Sequence, residues 1–125
     1  NRVLIYYTTV SNRLEYTITS GGITQASGFE VLPSILNSIK LSVKYKSNNF
    51  ALWINGFEVL TGVSGVTPLN LSELAFDVGD GTLPFYGNTK QLQYFDKALT
   101  DTDLEGLTSW KSFNEMAKAQ LYTIQ

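Results

Sequence analysis

In "IKLSVKYK", residues 39–46, Ile39, Leu41, Val43 and Tyr45 fall on one parity and Lys40, Ser42, Lys44 and Lys46 on the other. That two-residue period belongs to a strand with one face on a core and one face in water; a helix repeats every 3.6 residues. "RLEYTITS", residues 13–20, alternates in the same way, with Leu14, Tyr16 and Ile18 against Glu15, Thr17 and Thr19, and it runs into the turn pair Gly21 and Gly22. Further on, "SNNFALWINGFEVL" contains Asn55-Gly56 between two apolar runs. Asn-Gly is the strongest short hairpin signal, because both residues accept the positive φ of a type I′ turn. With Ser47, Asn48 and Asn49 as the preceding turn, residues 39–61 are predicted to form a three-stranded antiparallel meander.

The Gly, Ser, Thr and Pro content of residues 61–71 marks a long loop. Beyond it, "ELAF" reads as a short strand and "PFYGNTKQLQYFD" as a longer one with a bulge near Gly87. The pattern then turns helical. Thr100 to Asp103 and Ser112 to Glu115 both have the spacing of a capping box, in which a hydroxyl accepts from free amides and an acid three residues on reaches back. They predict one short helix from Asp101 to about Leu107 and another from Phe113 to about Ala119. Strands followed by terminal helical turns, without β–α alternation, point to an all-β antiparallel sandwich with short C-terminal helices.

A length of 125 residues suits a single domain over residues 1–125. Charged residues make up 16% of the chain, against roughly 25% in an average soluble domain. The formal net charge of −2 gives no basic face for phosphates, so nucleic acid is not an expected partner. No apolar run approaches the roughly 18 residues of a membrane span, and no membrane insertion is expected. The chain has neither Cys nor His, which removes thiolate nucleophiles, imidazole bases, disulfides and the commonest zinc ligands. It does not begin with Met and enters a β-like stretch, "RVLIYY", almost at once, as an excised piece of a longer protein would.

The remaining chemistry lies with carboxylates and aromatics. Asp77 and Asp80, in "FDVGDGTLPFYGN", allow two readings. They are either ordinary Asp-Gly turn residues or part of a calcium loop, since calcium takes several oxygen ligands. The D-x-D-x-D-G spacing is missing, so the turn is favoured, no cofactor is required, and calcium stays open. Glycosidase chemistry asks for a carboxylate pair on a cleft-lining strand. The nearest run, Asp101, Asp103 and Glu105, lies in a predicted first helical turn, where acids serve the cap and the dipole. The expectation is a protein that is not an enzyme. Trp53 alternates away from Phe50, Leu52 and Ile54, together with Ala51 and Asn55, so it sits on the face opposite the core. There it is either a stacking platform for a sugar or neighbouring subunit, or it is covered by the terminal helices through Phe113 or Met116. Phe95 carries the same alternative. The lysines at 40, 44 and 46 read as a solvated strand face, and Trp110 as an anchor for the C-terminal tail.

The run "KYKSNNFALWINGFEV", followed by "FDVGDGTLPFYGNTKQLQYFDKALTDTDLEGL", resembles the laminin-G-like, concanavalin A-like jelly-roll domains of bacteriophage tail, fibre and other virion proteins. In those domains a strand ending in "NG" pairs with the next, a Gly-Asp-Gly loop leads into "FYG", and a strand and short helix starting "ALTD" close the sandwich. The resemblance spans roughly residues 2–120. It implies a virion or extracellular location and a structural or attachment role, with other virion chains, a homo-oligomer or a cell-surface glycan as partners. Loops 47–49, 62–71 and 77–88 would be displayed for recognition, with Trp53, Asp80, Asn88 and Phe95 as contact residues. A purely structural or oligomerising module, and a calcium-dependent lectin-like protein, are the alternatives. Family domains of this kind carry further strands upstream of the position matching Asn1. The expectation is therefore an uncovered sheet edge, or strands supplied by a neighbour.

Overall fold

The computed structural model describes residues 1–110 and Glu115. Among them are six strands and one helix: β1 (Arg2–Tyr7), β2 (Arg13–Ser20), β3 (Ile23–Val31), β4 (Leu41–Lys46), β5 (Asn49–Ile54), β6 (Phe57–Gly62) and α1 (Asp101–Thr108). They form two three-stranded antiparallel sheets, ordered β1-β2-β3 and β4-β5-β6. The described residues make an all-β fold with one short helix of defined bounds, α1. The predicted meander is the second sheet. Its β5–β6 turn has Asn55 at φ 51° and Gly56 at φ 87°, the double positive φ that the Asn-Gly pair foretold.

The two sheets meet through the faces that alternation assigned to the core. Leu14, Tyr16 and Ile18 of β2 are buried against Phe50, Leu52 and Ile54 of β5, with Ile39, Leu41, Val43 and Tyr45 partly buried around them. A fully buried side chain of this size contributes about 1.5–3 kcal/mol, so these two central strands hold the sheets together. The sandwich is pinched on one side. On β3 the residues opposite Tyr16 and Ile18 are Gly28 and Ala26. Being small, they let β6 approach so closely that a Cβ on Gly28 would lie 2.9 Å from Leu60 Cδ1. On the other side β1 and β4 are edge strands. There Ile5 and Tyr7, which share a face with core-lining Val3, remain exposed.

Residues 63–100 run past this structure without forming a strand. The strands expected at "ELAF" and "PFYGNTKQLQYFD" are therefore corrected. Two backbone bonds, Phe85 N–H to the Phe76 carbonyl (2.8 Å) and Val78 N–H to the Thr82 carbonyl (3.2 Å), close a local loop, and neither joins it to a sheet. Alternation in "QLQYF" is a necessary condition for a strand, but a ladder partner is required too. Without one, Leu92, Tyr94 and Phe95 are all exposed. Each sheet consists of strands consecutive in sequence, so these six strands do not make the crossing between sheets that a jelly roll requires. The first expected helix is α1. Of the second, only Glu115 lies among the described residues, and it is helical; Phe113 and Met116 lie outside them.

Candidate functional site

The outer face of the β4-β5-β6 sheet carries the concavity. Register places Ala51 of β5 between Lys44 of β4 and Thr61 of β6, and Trp53 between Ser42 and Glu58. Ala51 and Trp53 are both buried on this outer face, 1% and 6% exposed. The helix then covers part of this face. Thr100 caps it, its Oγ accepting from Asp103 N–H at 3.2 Å, which is the hydroxyl half of the predicted box. Leu104, one turn in, is 3% exposed and packs on Ala51 and Trp53 with Leu99 beside them. The N-terminal end of α1 thereby becomes a wall over the lysine row. The resulting groove measures about 440 Å³ and is lined by Lys44, Lys46, Asn49, Glu58, Thr61 and residues 98–101.

Lys44 is the informative side chain of the groove. Its side chain is only 8% exposed, and its ammonium donates to Asp101 Oδ1 at 3.3 Å, while Asp101 itself stays 66% exposed. This corrects the reading of a fully solvated lysine row, because alternation reports that Lys44 points away from the core but not that a helix end lies over it. An ammonium has three N–H donors. Lys44 has that single protein acceptor among the described residues, so two donors remain on a group that is nearly out of water. Across the groove the Thr61 hydroxyl donates to Glu58 at 2.6 Å, leaving the other carboxylate oxygen of Glu58 free to accept. The groove lining thus combines two donor-only ammonium groups, Lys44 and Lys46 on β4, with two acceptor-only carboxylates, Glu58 and Asp101. That arrangement suits a ligand whose every polar group both donates and accepts.

The residues nominated from the sequence do not gather at this groove. Trp53 is 6% exposed beneath Leu104, so it offers no stacking face, and its Nε1–H is buried without an acceptor among the described residues. The platform reading of Trp53 is thus corrected: Leu104 of α1, with Leu99 just ahead of the helix, covers it. Asp77 accepts from Gly79 N–H at 2.5 Å, and Asp80 accepts from both the amide (2.9 Å) and the hydroxyl (2.5 Å) of Thr82. These are Asx turns. The Thr82 hydroxyl and then its amide hold the Asp80 carboxyl below the usual range, with Arg2 adding a smaller pull. No group of three or more potential metal-ligating side chains occurs among the described residues. Asn88 and Phe95 are exposed and lie within residues 63–100, which form no strand.

Trp110, two residues past α1, is tied to the second hairpin, and the tail it was expected to anchor lies outside the described residues apart from Glu115. Its Nε1 donates to Asn55 Oδ1 at 3.0 Å, and the Lys40 ammonium lies 4.6 Å from the centre of its ring. A second concavity, of about 350 Å³, lies at the β1–β2 turn between residues 7–13 and Ile35. Its charged member, Arg13, already pairs with Glu15 and stacks over Phe29.

No family model matches this chain, and no curated protein matches it. Among solved structures, residues 221–444 of an S-layer domain-containing protein from Clostridium thermocellum align over 86% of this chain at 15% identity and a TM-score of 0.49. This chain spans 63% of that fragment, and a likeness at that level carries no argument about fold or role.

Proposed function

We propose that this chain is a non-enzymatic attachment module of a virion appendage, such as a phage tail fibre, that displays a saccharide-binding groove on a stiff two-sheet scaffold. In this reading the two sheets are the half of a concanavalin A-like jelly roll that this sequence encodes, and the module works outside the cell. One observation carries the proposal: the groove beside α1, where nearly buried Lys44 keeps unfilled donors among Asp101, Glu58, Asn49 and Lys46. Polar groups fixed on strands and a capped helix need little reordering to bind, which favours a weak polar ligand. An array of bacterial cell-surface polysaccharides and oligosaccharides tests it. Retention of at least one that is lost on Lys44→Gln supports the assignment, and absence of any retained saccharide refutes it.

A second reading has its own observation. The β1 and β4 edges lie on the open side of the sandwich, and the Tyr94 hydroxyl reaches Tyr45 on β4. The passing segment holds Leu83, Tyr86 and Tyr94 far out in solvent, Tyr86 at 92% exposure. Unpaired edges beside exposed apolar residues are where a second copy adds a strand. Light scattering across a concentration series distinguishes this role. A dimer or trimer that Tyr94→Lys dissociates supports an oligomerising module, and a monomer at all concentrations refutes it.

A further inference from the structure

Four other features stand apart from the groove: the turn concavity at Arg13, the Asp77–Asp80 loop, the buried Trp53 indole and the apolar row on the open side. Arg13 is already paired, the two aspartates are spent on turns, and the indole lies under a helix. The groove carries more, because its charges specify what kind of saccharide it takes. This step rests on the proposed saccharide-binding role.

We infer that the Lys44 ammonium and the Asp101 carboxylate form a fork for two neighbouring hydroxyls of a neutral sugar. Lys44 can only donate and Asp101 can only accept, whereas a hydroxyl does both. One hydroxyl oxygen accepts from Lys44, and the adjacent hydroxyl donates to Asp101. Adjacent gauche hydroxyl oxygens on a pyranose are about one hydrogen-bond length apart, and so are Lys44 Nζ and Asp101 Oδ1, at 3.3 Å. The pair therefore has the span of the diol it would grip, and the backbones that carry the two groups are fixed by the Thr100 cap on one side and the β4–β5 ladder on the other.

Charge decides against the other sugar classes. The groove is lined by two lysines and two acids, Lys44 and Lys46 against Glu58 and Asp101. A uronic-acid carboxylate seated on Lys44 would lie beside Asp101, and the like-charge contact would offset its gain. An amino sugar at Asp101 would meet Lys44 in the same way. A neutral diol meets neither penalty and supplies the acceptors that Lys44 lacks. Asn49 and Lys46, whose side chains make no hydrogen bond within the described residues, are placed to donate to the next ring oxygens.

The test titrates the ¹⁵N-labelled chain with methyl α-mannopyranoside, methyl β-galactopyranoside, methyl 2-deoxyglucopyranoside and the methyl glycoside of glucuronic acid, following amide shifts. Expected are shifts at residues 44–49 and 99–101 with at least one neutral glycoside. Asp101→Ala should weaken binding roughly tenfold or more, the scale of one hydrogen bond to a charged group. Asp103→Ala, on the same helical turn but outside the groove, should leave it within about twofold. Asp101 is exposed, so its variant keeps the fold, and an unchanged spectrum away from the groove verifies this. If the glucuronide alone shifts the groove, the diol inference is overturned while the saccharide role stands. If no glycoside in the panel shifts the groove, the inference is overturned too, and retention of any polysaccharide on the array then decides separately whether the role survives.

Discussion

Truncating Leu104 to Ala tests the packing on which the groove depends. Leu104 is the single buried apolar side chain of α1, its other buried residue being Thr108. Leu→Ala in a closed core costs about 2–5 kcal/mol, with the spread set by how far the site collapses. Here the cavity would lie between a sheet and one eight-residue helix, which can settle or detach, so the low end, about 2–3 kcal/mol, is expected. A helix this short is marginal in water without tertiary contacts. Loss of its anchor should release it, uncover Trp53 and take Asp101 away from Lys44. The assay is urea unfolding in a Trp110→Phe background, so that Trp53 alone reports. Leu104→Ala should lower stability by the stated amount, shift native emission to the red and open the indole to acrylamide. Leu107→Ala, half-exposed on the same helix, should change stability by less than about 0.5 kcal/mol. If Leu104→Ala keeps parental stability and a blue, protected Trp53, the helix does not cover this face, and the groove has lost its wall.

Asn55 couples the second hairpin to the segment after α1, since its side-chain oxygen accepts from Lys40 N–H and from Trp110 Nε1, both at 3.0 Å, while its backbone sits at positive φ. Asn55→Ala should cost about 2–3 kcal/mol in chemical denaturation, from lost hydrogen bonds and left-handed strain, and Asn55→Asp clearly less. The Glu15 carboxyl is held below its ordinary range by hydrogen bonds from Tyr6 and then Arg13. Its contribution is thus fully present above the ordinary carboxylate range and is lost as pH falls through the depressed folded value. Thermal melts of Glu15→Gln should show a shallower acid-side decline than the parent. Because Asp77 and Asp80 are engaged in turns, millimolar calcium or a chelator should leave the melting temperature unchanged, and a calcium-induced rise of several degrees would restore the loop as a metal site.

What could be read from the sequence divides along local and non-local lines. The β2 and β4–β6 strands, the Asn55-Gly56 turn and the Thr100 cap each depend on neighbours within a few residues, and the structure has them where alternation and turn chemistry put them. The third strand, β3, has Ala26 and Gly28 at inward positions, small residues that add little to the alternation signal but set the close approach of β6. Residues 84–96 have strand alternation and no ladder, because pairing depends on what else lies alongside. At the site, alternation correctly turned Trp53 and Lys44 away from the core. It could not say that α1 would lie across that face, burying Trp53 and leaving Lys44 at a groove edge. A lysine in a row of solvent-facing strand positions gives no local sign that it will be covered; the sign was the helix cap more than fifty residues later, with Asp101 in its first turn.

The central claim is that a saccharide occupies the outer face of the β4-β5-β6 sheet beside the start of α1. A crystal structure of the chain grown with the tightest-binding glycoside of the panel tests it most directly. The account predicts two adjacent sugar oxygens within hydrogen-bonding distance of Lys44 Nζ and an Asp101 carboxylate oxygen, between β4 and the start of α1. Sugar ordered instead on the loop of residues 77–88 or against Phe95, with the groove empty, would contradict it.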